Sequence, residues 1–355
     1  MINNINTNYK CVFSSENSLY NNKYIQSSKF ISDNSFLIIN DKSIIKYNYD
    51  YKDLNNSFES IKLQNEFSEN NYIYDYDIIP NNNLDNQYIC LCSKDNPIRI
   101  INDKLSLVKS FSLERKIHEK YYSSTFIKFE EFGLNIFTGK NFLSKIDLIK
   151  EKEVFIKFNK NYNYLSSFDY NQYYSCYFLG SYDRNLLFCD YKTDNIIQIY
   201  QQEKPINEIK LLKTKMNQMI IGYKNSDYLS LFDIRKMDQC INKFERNALT
   251  TKKINFVLDE QENHIYSGDV NGNIIKYSLN KEIVDKSCEN YKNNFIDEKI
   301  NVGINNCITS IDLEDKKKLL IVTFEENKQQ ENDDENIEIF KEEKKCNFKI
   351  FKIEN

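Results

Sequence analysis

The chain has 355 residues, 41% hydrophobic and 28% charged, enough to bury a large core and too apolar overall for a disordered polymer. A formal net charge of -4 gives no broad cationic field, so nucleic-acid binding by bulk charge is not expected and any such site must be local. No run approaches the roughly 18 apolar residues of a membrane helix, and the opening MINNINTNYK is too polar for a secretion signal.

The nine cysteines follow no metal-binding spacing: Cys90 and Cys92 form one C-x-C in an apolar run, with only His118 and His264 to join them. They read as reduced, buried thiols of a protein in the cytosol or nucleus, with no metal and no cofactor. Trp is absent, Gly and Pro number 7 and 3, and Ala248 is the only alanine, a bias that matches an AT-rich genome. Repeat motifs built on Trp are therefore expected with Phe, Tyr or Ile in its place.

Apolar residues come in runs of about four to seven bounded by Asn, Asp, Ser or Lys, with no sustained helical period, so the chain reads as all-β. In chain order, 1–23 is an N-terminal segment whose residues near Cys11 to Tyr20 are expected to latch the last sheet. One sentence then recurs from 24 to 355: strand, polar turn, apolar run, short turn, and a strand ending in an aromatic-Asp-like pair. It is read at FLIINDKSIIKYN (36–48), ICLCSKDNPIRIIN (89–102), IFTGKNFLSKIDL (136–148), YFLGSYDRNLLFCD (177–190), MIIGYKNSDYLSLFD (219–233) and IYSGDVNGNIIKYS (265–278). Gly180, Gly222 and Gly268 fall 42 and 46 positions apart, the period of a four-stranded propeller blade. A seventh copy joins 307–324 to 344–353 if the acidic stretch at about 325–343 is a surface insertion. The expected fold is a WD-repeat β-propeller of seven blades, each of four antiparallel strands.

Asp183, Asn225, Asp269, Asn271 and Gly272 suit turns, because they tolerate positive φ or hydrogen-bond their own backbone. Asp183 and Asp233, with Gly180, Gly222, Gly268 and Gly272, are taken as the structural turn residues. Leu186, Leu187, Phe188 and Cys189 are consecutively apolar, as in a strand covered on both faces, and Phe188, Phe232 and Tyr277 stand where Trp would.

Several segments resemble, in collinear order between 30 and 278, the telomerase Cajal body protein family of WD-repeat scaffolds. YDYDIIP (74–80) is similar to that family's tyrosine-aspartate-tyrosine blade opening, and SKDNPIRI (93–100) to its Ser-Arg-Glu-Asn-Pro-Ile segment. LGSYDRNL (179–186) resembles its Gly-Ser-Tyr-Gly-Arg-Ser, and LSLFDIRK (229–236) its Leu-Cys-Trp-Asp-Leu-Arg; TTKKINFVLD (250–259) and YSGDVNGNI (266–274) resemble the blade that follows. The resemblance implies a scaffold that recognises a loop of box H/ACA small nuclear RNAs, telomerase RNA included. It further implies partnership with their ribonucleoprotein proteins and a location in nuclear bodies of the Cajal type, with the cytoplasm as second compartment. No membrane and no small-molecule substrate is expected.

Only five arginines stand among 48 basic residues, so those in blade turns are the first candidates for a site. Arg184, after Tyr182 and Asp183, either pairs with Asp183 or a neighbouring blade, or offers a guanidinium beside a tyrosine to a base or phosphate. Arg235 either supports its own turn with Asp233 or serves a cullin-ligase adaptor, the alternative protein-only reading. Lys94, Arg99 and Lys224 complete a candidate basic rim, against the plain reading of solvated surface. Tyr72, Tyr74 and Tyr76 alternate as one strand face would and read as blade packing. No G-x-S-x-G, H-E-x-x-H or glycine-rich phosphate loop is present, and the cluster 331–335 reads as solvated, so no enzyme is expected.

Overall fold

The computed structural model describes residues 9–15, 25–32, 34–50, 61–79, 87–113, 123–130, 134–156, 158, 162–280, 296–302, 306–325 and 348–353. Among them are 28 strands and no helix, arranged as seven four-stranded antiparallel sheets, the blades of a β-propeller. Strand β1 (Tyr9–Ser14) belongs to the last blade. Blade one is β2 (Ile25–Ser32), β3 (Ser35–Asn40), β4 (Ser43–Tyr49) and β5 (Ile61–Ser68); blade two is β6 (Ile73–Ile78), β7 (Tyr88–Ser93), β8 (Ile98–Asn102) and β9 (Leu107–Phe111). Blade three is β10 (Phe126–Phe129), β11 (Asn135–Gly139), β12 (Leu143–Asp147) and β13 (Lys152–Ile156); blade four is β14 (Leu165–Asn171), β15 (Cys176–Ser181), β16 (Asn185–Asp190) and β17 (Ile196–Gln201). Blade five is β18 (Ile206–Leu211), β19 (Gln218–Tyr223), β20 (Ser226–Asp233) and β21 (Lys236–Ala248); blade six is β22 (Phe256–Leu258), β23 (His264–Gly268), β24 (Asn273–Ser278) and β25 (Ile296–Asn301). Blade seven takes β26 (Cys307–Glu314), β27 (Leu319–Glu325) and β28 (Phe348–Ile353), with β1 as its outer strand.

Strand β1 runs antiparallel to β28, Tyr9 opposite Ile353 and Ser14 opposite Lys349, and Phe13 stacks on Phe348 at 5.5 Å. One sheet is thus built from both ends of the chain, which ties the ring shut. Tyr20 and the residues 326–347 that connect β27 to β28 lie outside the described residues.

In six blades the repeat read from the sequence is the hairpin of second and third strands. These strands are apolar at consecutive positions because a blade is covered on both sides. Leu186 packs toward blade five with Phe178 and Ile221, whereas Leu187 and Cys189 pack toward blade three with Phe137 and Phe126. Phe188 stacks on Phe178 at 5.0 Å, and Tyr277 is fully buried with its hydroxyl donating to the Glu245 carbonyl, so aromatic rings fill the Trp positions.

The first strands face the central channel and are clasped blade to blade by side chains bonding the next blade's backbone. Hydroxyls or amides donate to carbonyls from Gln26 to Ile73 at 2.8 Å, Thr125 to Leu165 at 2.6 Å, Ser166 to Ile206 at 2.7 Å and Thr309 to Ile25 at 3.2 Å. Three residues further along these strands, carboxylates accept backbone N–H groups: Asp77 from Phe129 at 2.8 Å, Asp169 from Leu211 at 2.6 Å and Asp312 from Phe30 at 2.7 Å. Blades five and six are joined by Phe256 N–H donating to Glu208 at 3.3 Å, and blades six and seven by Ile311 N–H donating to Asn255 at 2.8 Å.

Aligned by these bonds, the seven inner strands place Lys29, Asp77, Lys128, Asp169, Lys210, Val257 and Asp312 at one level. Charge alternates from Asp312 around to Lys210, and Lys29 pairs with Asp312 at 2.9 Å and Lys128 with Asp77 at 3.3 Å. An alternating ring of seven cannot close without two like charges meeting, and the apolar Val257 occupies the odd position. Asp312 holds the Lys29 ammonium above the ordinary lysine range, whereas burial pushes the Asp169 carboxyl up.

Three residues expected in turns lie in strands instead. Gly268 ends β23, and Gly180 and Gly222 are next to last in β15 and β19, each pressed against the inner strand of the following blade. A Cβ on Gly180 would come to 2.5 Å from Ile206, one on Gly222 to 3.1 Å from Phe256, and one on Gly268 to 2.6 Å from Ile308 Cβ. They are small because blades touch there, not because a turn needs them. Gly272 is a turn glycine as expected, at φ 76°, and Asn225 likewise at φ 51°. In the blade-four turn the positive φ, 65°, falls on Arg184, while Asp183 accepts the Asn163 N–H at 2.8 Å.

Candidate nucleic-acid interface

Because the strands of each blade alternate in direction, turns between second and third strands share one face with the loops between blades. Turns between third and fourth strands lie on the other. Lys94, Tyr182, Arg184 and Lys224 all belong to the first face. Arg235, in the turn between β20 and β21, lies on the opposite face, and Arg99 lies within β8.

The structure brings Tyr182 and Lys224 together, the Lys224 ammonium standing 4.7 Å from the Tyr182 ring centroid. This contact bridges blades four and five, and both residues are only partly buried. Arg184 and Lys94 are exposed and, among the described residues, neither makes an ion pair; Asp183 is occupied by Asn163. Burial pushes the Tyr182 hydroxyl up, so the ring stays a neutral phenol beside its lysine.

Arg99 does not join this rim. Its Nε sits 2.5 Å from the nearly inaccessible Glu69 carboxylate, whose other oxygen accepts from Asn96 at 3.0 Å. Asn96 in turn donates to Ser93 at 2.9 Å, so Arg99 and the Asn-Pro turn form one internal network. Arg235 is bound in a fork by Asp233, Nε to Oδ1 at 2.9 Å and NH2 to Oδ2 at 2.6 Å, and its backbone N–H donates to the same carboxylate. Asp233 thus anchors the turn that follows β20, and Arg235 holds Asp233 below the ordinary carboxylate range.

Reading the blade turns alone missed the loops between blades, which add tyrosines to the same face. Lys140 stands 4.9 Å from the Tyr164 ring centroid, and Tyr164 accepts the Tyr182 N–H at 3.1 Å, placing the two tyrosines side by side. Tyr72 and Tyr74 have ring centroids 5.6 Å apart, and Tyr72 accepts the Lys94 N–H at 2.8 Å. The expected single tyrosine face is broken by a β-bulge between Ile73 and Asp75. It turns Tyr74 toward blade three, while Tyr76 packs toward blade one.

At the mouth of the channel, Lys253 of the loop before blade six reaches Asp75 of blade two at 3.8 Å. Asp75 raises the Lys253 ammonium above its usual range, and burial pushes Asp75 itself up. The face therefore presents tyrosine rings from blades two and four, two of them overlaid by the lysine side chains of Lys140 and Lys224. Such an arrangement can stack bases and hold phosphates at once.

Burial pushes the Cys176 and Cys189 thiols up to about 12, so they stay protonated at neutral pH. Among the described residues no three His, Cys, Asp or Glu side chains are grouped to hold a metal ion, and no helix is long and apolar enough to cross a membrane. Compared with known proteins, the chain matches no protein-family model and no curated protein.

Proposed function

We propose that this propeller is a non-enzymatic scaffold that binds single-stranded RNA on the face carrying Tyr164, Tyr182, Lys140 and Lys224. The observation that carries the reading is the pairing of partly exposed tyrosine rings with lysine ammonium groups on adjacent blades. Stacking supplies about 1 to 3 kcal/mol per base, and the lysines add local phosphate contacts that a net charge of -4 does not supply. The resemblance to the telomerase Cajal body family proposes the ligand class, box H/ACA small nuclear RNA, and with it assembly and localisation of those particles in the nucleus. Crosslinking in the native cell, stringent purification and sequencing of bound RNA test it. A few small nuclear RNAs sharing a loop motif, lost with Tyr182→Ala and Lys224→Ala together, are expected; background RNA alone refutes the reading.

A second reading, a protein adaptor such as a cullin-ligase receptor, is favoured by the opposite face. There Tyr173 is 71% exposed, its ring 4.9 Å from that of Tyr174, with Met216 on the neighbouring loop and Arg235 beyond. Exposed Tyr, Met and Arg are the residue types enriched in protein interfaces. Purification should then recover a ligase adaptor that Arg235→Ala releases.

A further inference from the structure

Among the described residues the outer strand of each blade is paired on one side only, and such edges are ordinarily guarded by charge, because a charged side chain would be desolvated on pairing with another strand. Six of the outer strands carry at least one: Lys10 in β1, Lys62 in β5, Lys109 in β9, Lys152 in β13, Lys236 in β21 and Lys299 in β25. Strand β17, IIQIYQ, carries none, and neither do its flanking Asn195 and Gln202. Ile197 and Ile199 on it are 56% and 45% exposed. Among the described residues β17 pairs only with β16.

We propose that the outer edge of blade four docks a second copy of this chain, β17 against β17 in antiparallel register about a two-fold axis through Ile199. An antiparallel pair related by such an axis must match residues on the same strand face, which restricts the axis to pass through a residue. Centred on Ile199, it sets Ile199 against its own copy on one face and Gln198 against the partner copy's Tyr200 on the other. Tyr200 already donates to Gln198 at 3.0 Å within the chain, so the same hydroxyl–amide pair is available across the axis. Any register leaves this strand free of charge, so pairing strands no ion. A bulge at Ile197 ends the regular pairing with β16 and confines the new ladder to the few residues around Ile199. The contact is correspondingly small, and the dimer forms in a concentration-dependent way. Because the contact is isologous, it closes at two copies and builds no fibre.

Sedimentation velocity on the full chain between about 1 and 100 µM tests it. The mass should rise from 42.5 kDa toward twice that value in the native protein. Ile199→Lys, which sets two ammonium groups face to face on the axis, should stay monomeric at every concentration with an unchanged melting curve. Val154→Lys, on the exposed outer strand of blade three, should dimerise as the native protein does. A native protein that remains monomeric throughout, an Ile199→Lys protein that still dimerises, or loss of the dimer in both variants would each overturn the proposal.

Discussion

The contact between blades six and seven can be tested at one atom. A methyl group on Gly268 would lie 2.6 Å from Ile308 Cβ and 3.2 Å from the Ile308 carbonyl oxygen, and both residues are in paired strands that cannot swing away. Gly222 offers the internal control, since its nearest neighbours are a Phe256 ring carbon at 3.1 Å and a Leu229 methyl at 3.4 Å, which can yield by a few tenths of an ångström. Overpacking of a rigid core costs about 1 to 3 kcal/mol, so Gly268→Ala should fall at or above about 3 kcal/mol and Gly222→Ala near or below 1. Ile308→Ala alone, at a fully buried site, should cost about 2 to 5 kcal/mol. The double variant Gly268→Ala/Ile308→Ala removes the Ile308 Cγ2 methyl that the new Cβ meets but keeps Ile308 Cβ and its carbonyl, so it should cost less than the sum by about 0.5 to 1 kcal/mol. Urea unfolding followed by circular dichroism and tyrosine fluorescence suits a chain without Trp. Additive single costs, or equal costs at Gly222 and Gly268, would refute the view that these glycines exist for blade contact.

Asp169→Asn keeps an acceptor for the Leu211 N–H but cannot ionise. Since burial raises the Asp169 carboxyl in the folded state, its favourable contribution is present below the unfolded carboxylate range, near about 3.9, and is lost as pH rises through the higher folded value. The variant should therefore gain stability relative to the native protein as pH rises from about 4, and a difference that is flat or reversed in denaturant titrations would contradict this. Gly272→Val places a β-branched residue at φ 76° and should cost about 1 to 3 kcal/mol in the same assay; a neutral result would mean the turn relaxes. Removing residues 1–15 strips β1 from β28 and leaves Phe348 without the Phe13 ring. It should lower the melting temperature and promote aggregation by light scattering, and an unchanged melt would show that the latch adds nothing.

The all-β class, the blade period and the hairpin at the heart of six blades are legible in the order of the amino acids alone. Their second and third strands are covered on both sides by neighbours, which writes consecutive apolar runs such as Leu186 to Cys189 between short polar turns. Gly272 was also legible, because its demand is local. The first strands were not, since their face carries Lys29, Asp77, Lys128 and Asp169 for bonds to the blades on either side and so lacks an apolar run. Gly180, Gly222 and Gly268 were seen but misread, because the residue each makes room for lies about 26 to 40 positions further on, in the next blade. The same holds at the candidate site: Tyr182 meets Lys224 across a blade boundary, and Arg99 is withdrawn by Glu69, a partner that no local pattern announces. Only the closed ring decides those neighbours, because curvature of seven sheets about one axis sets which loops share a face and which side chains meet between blades.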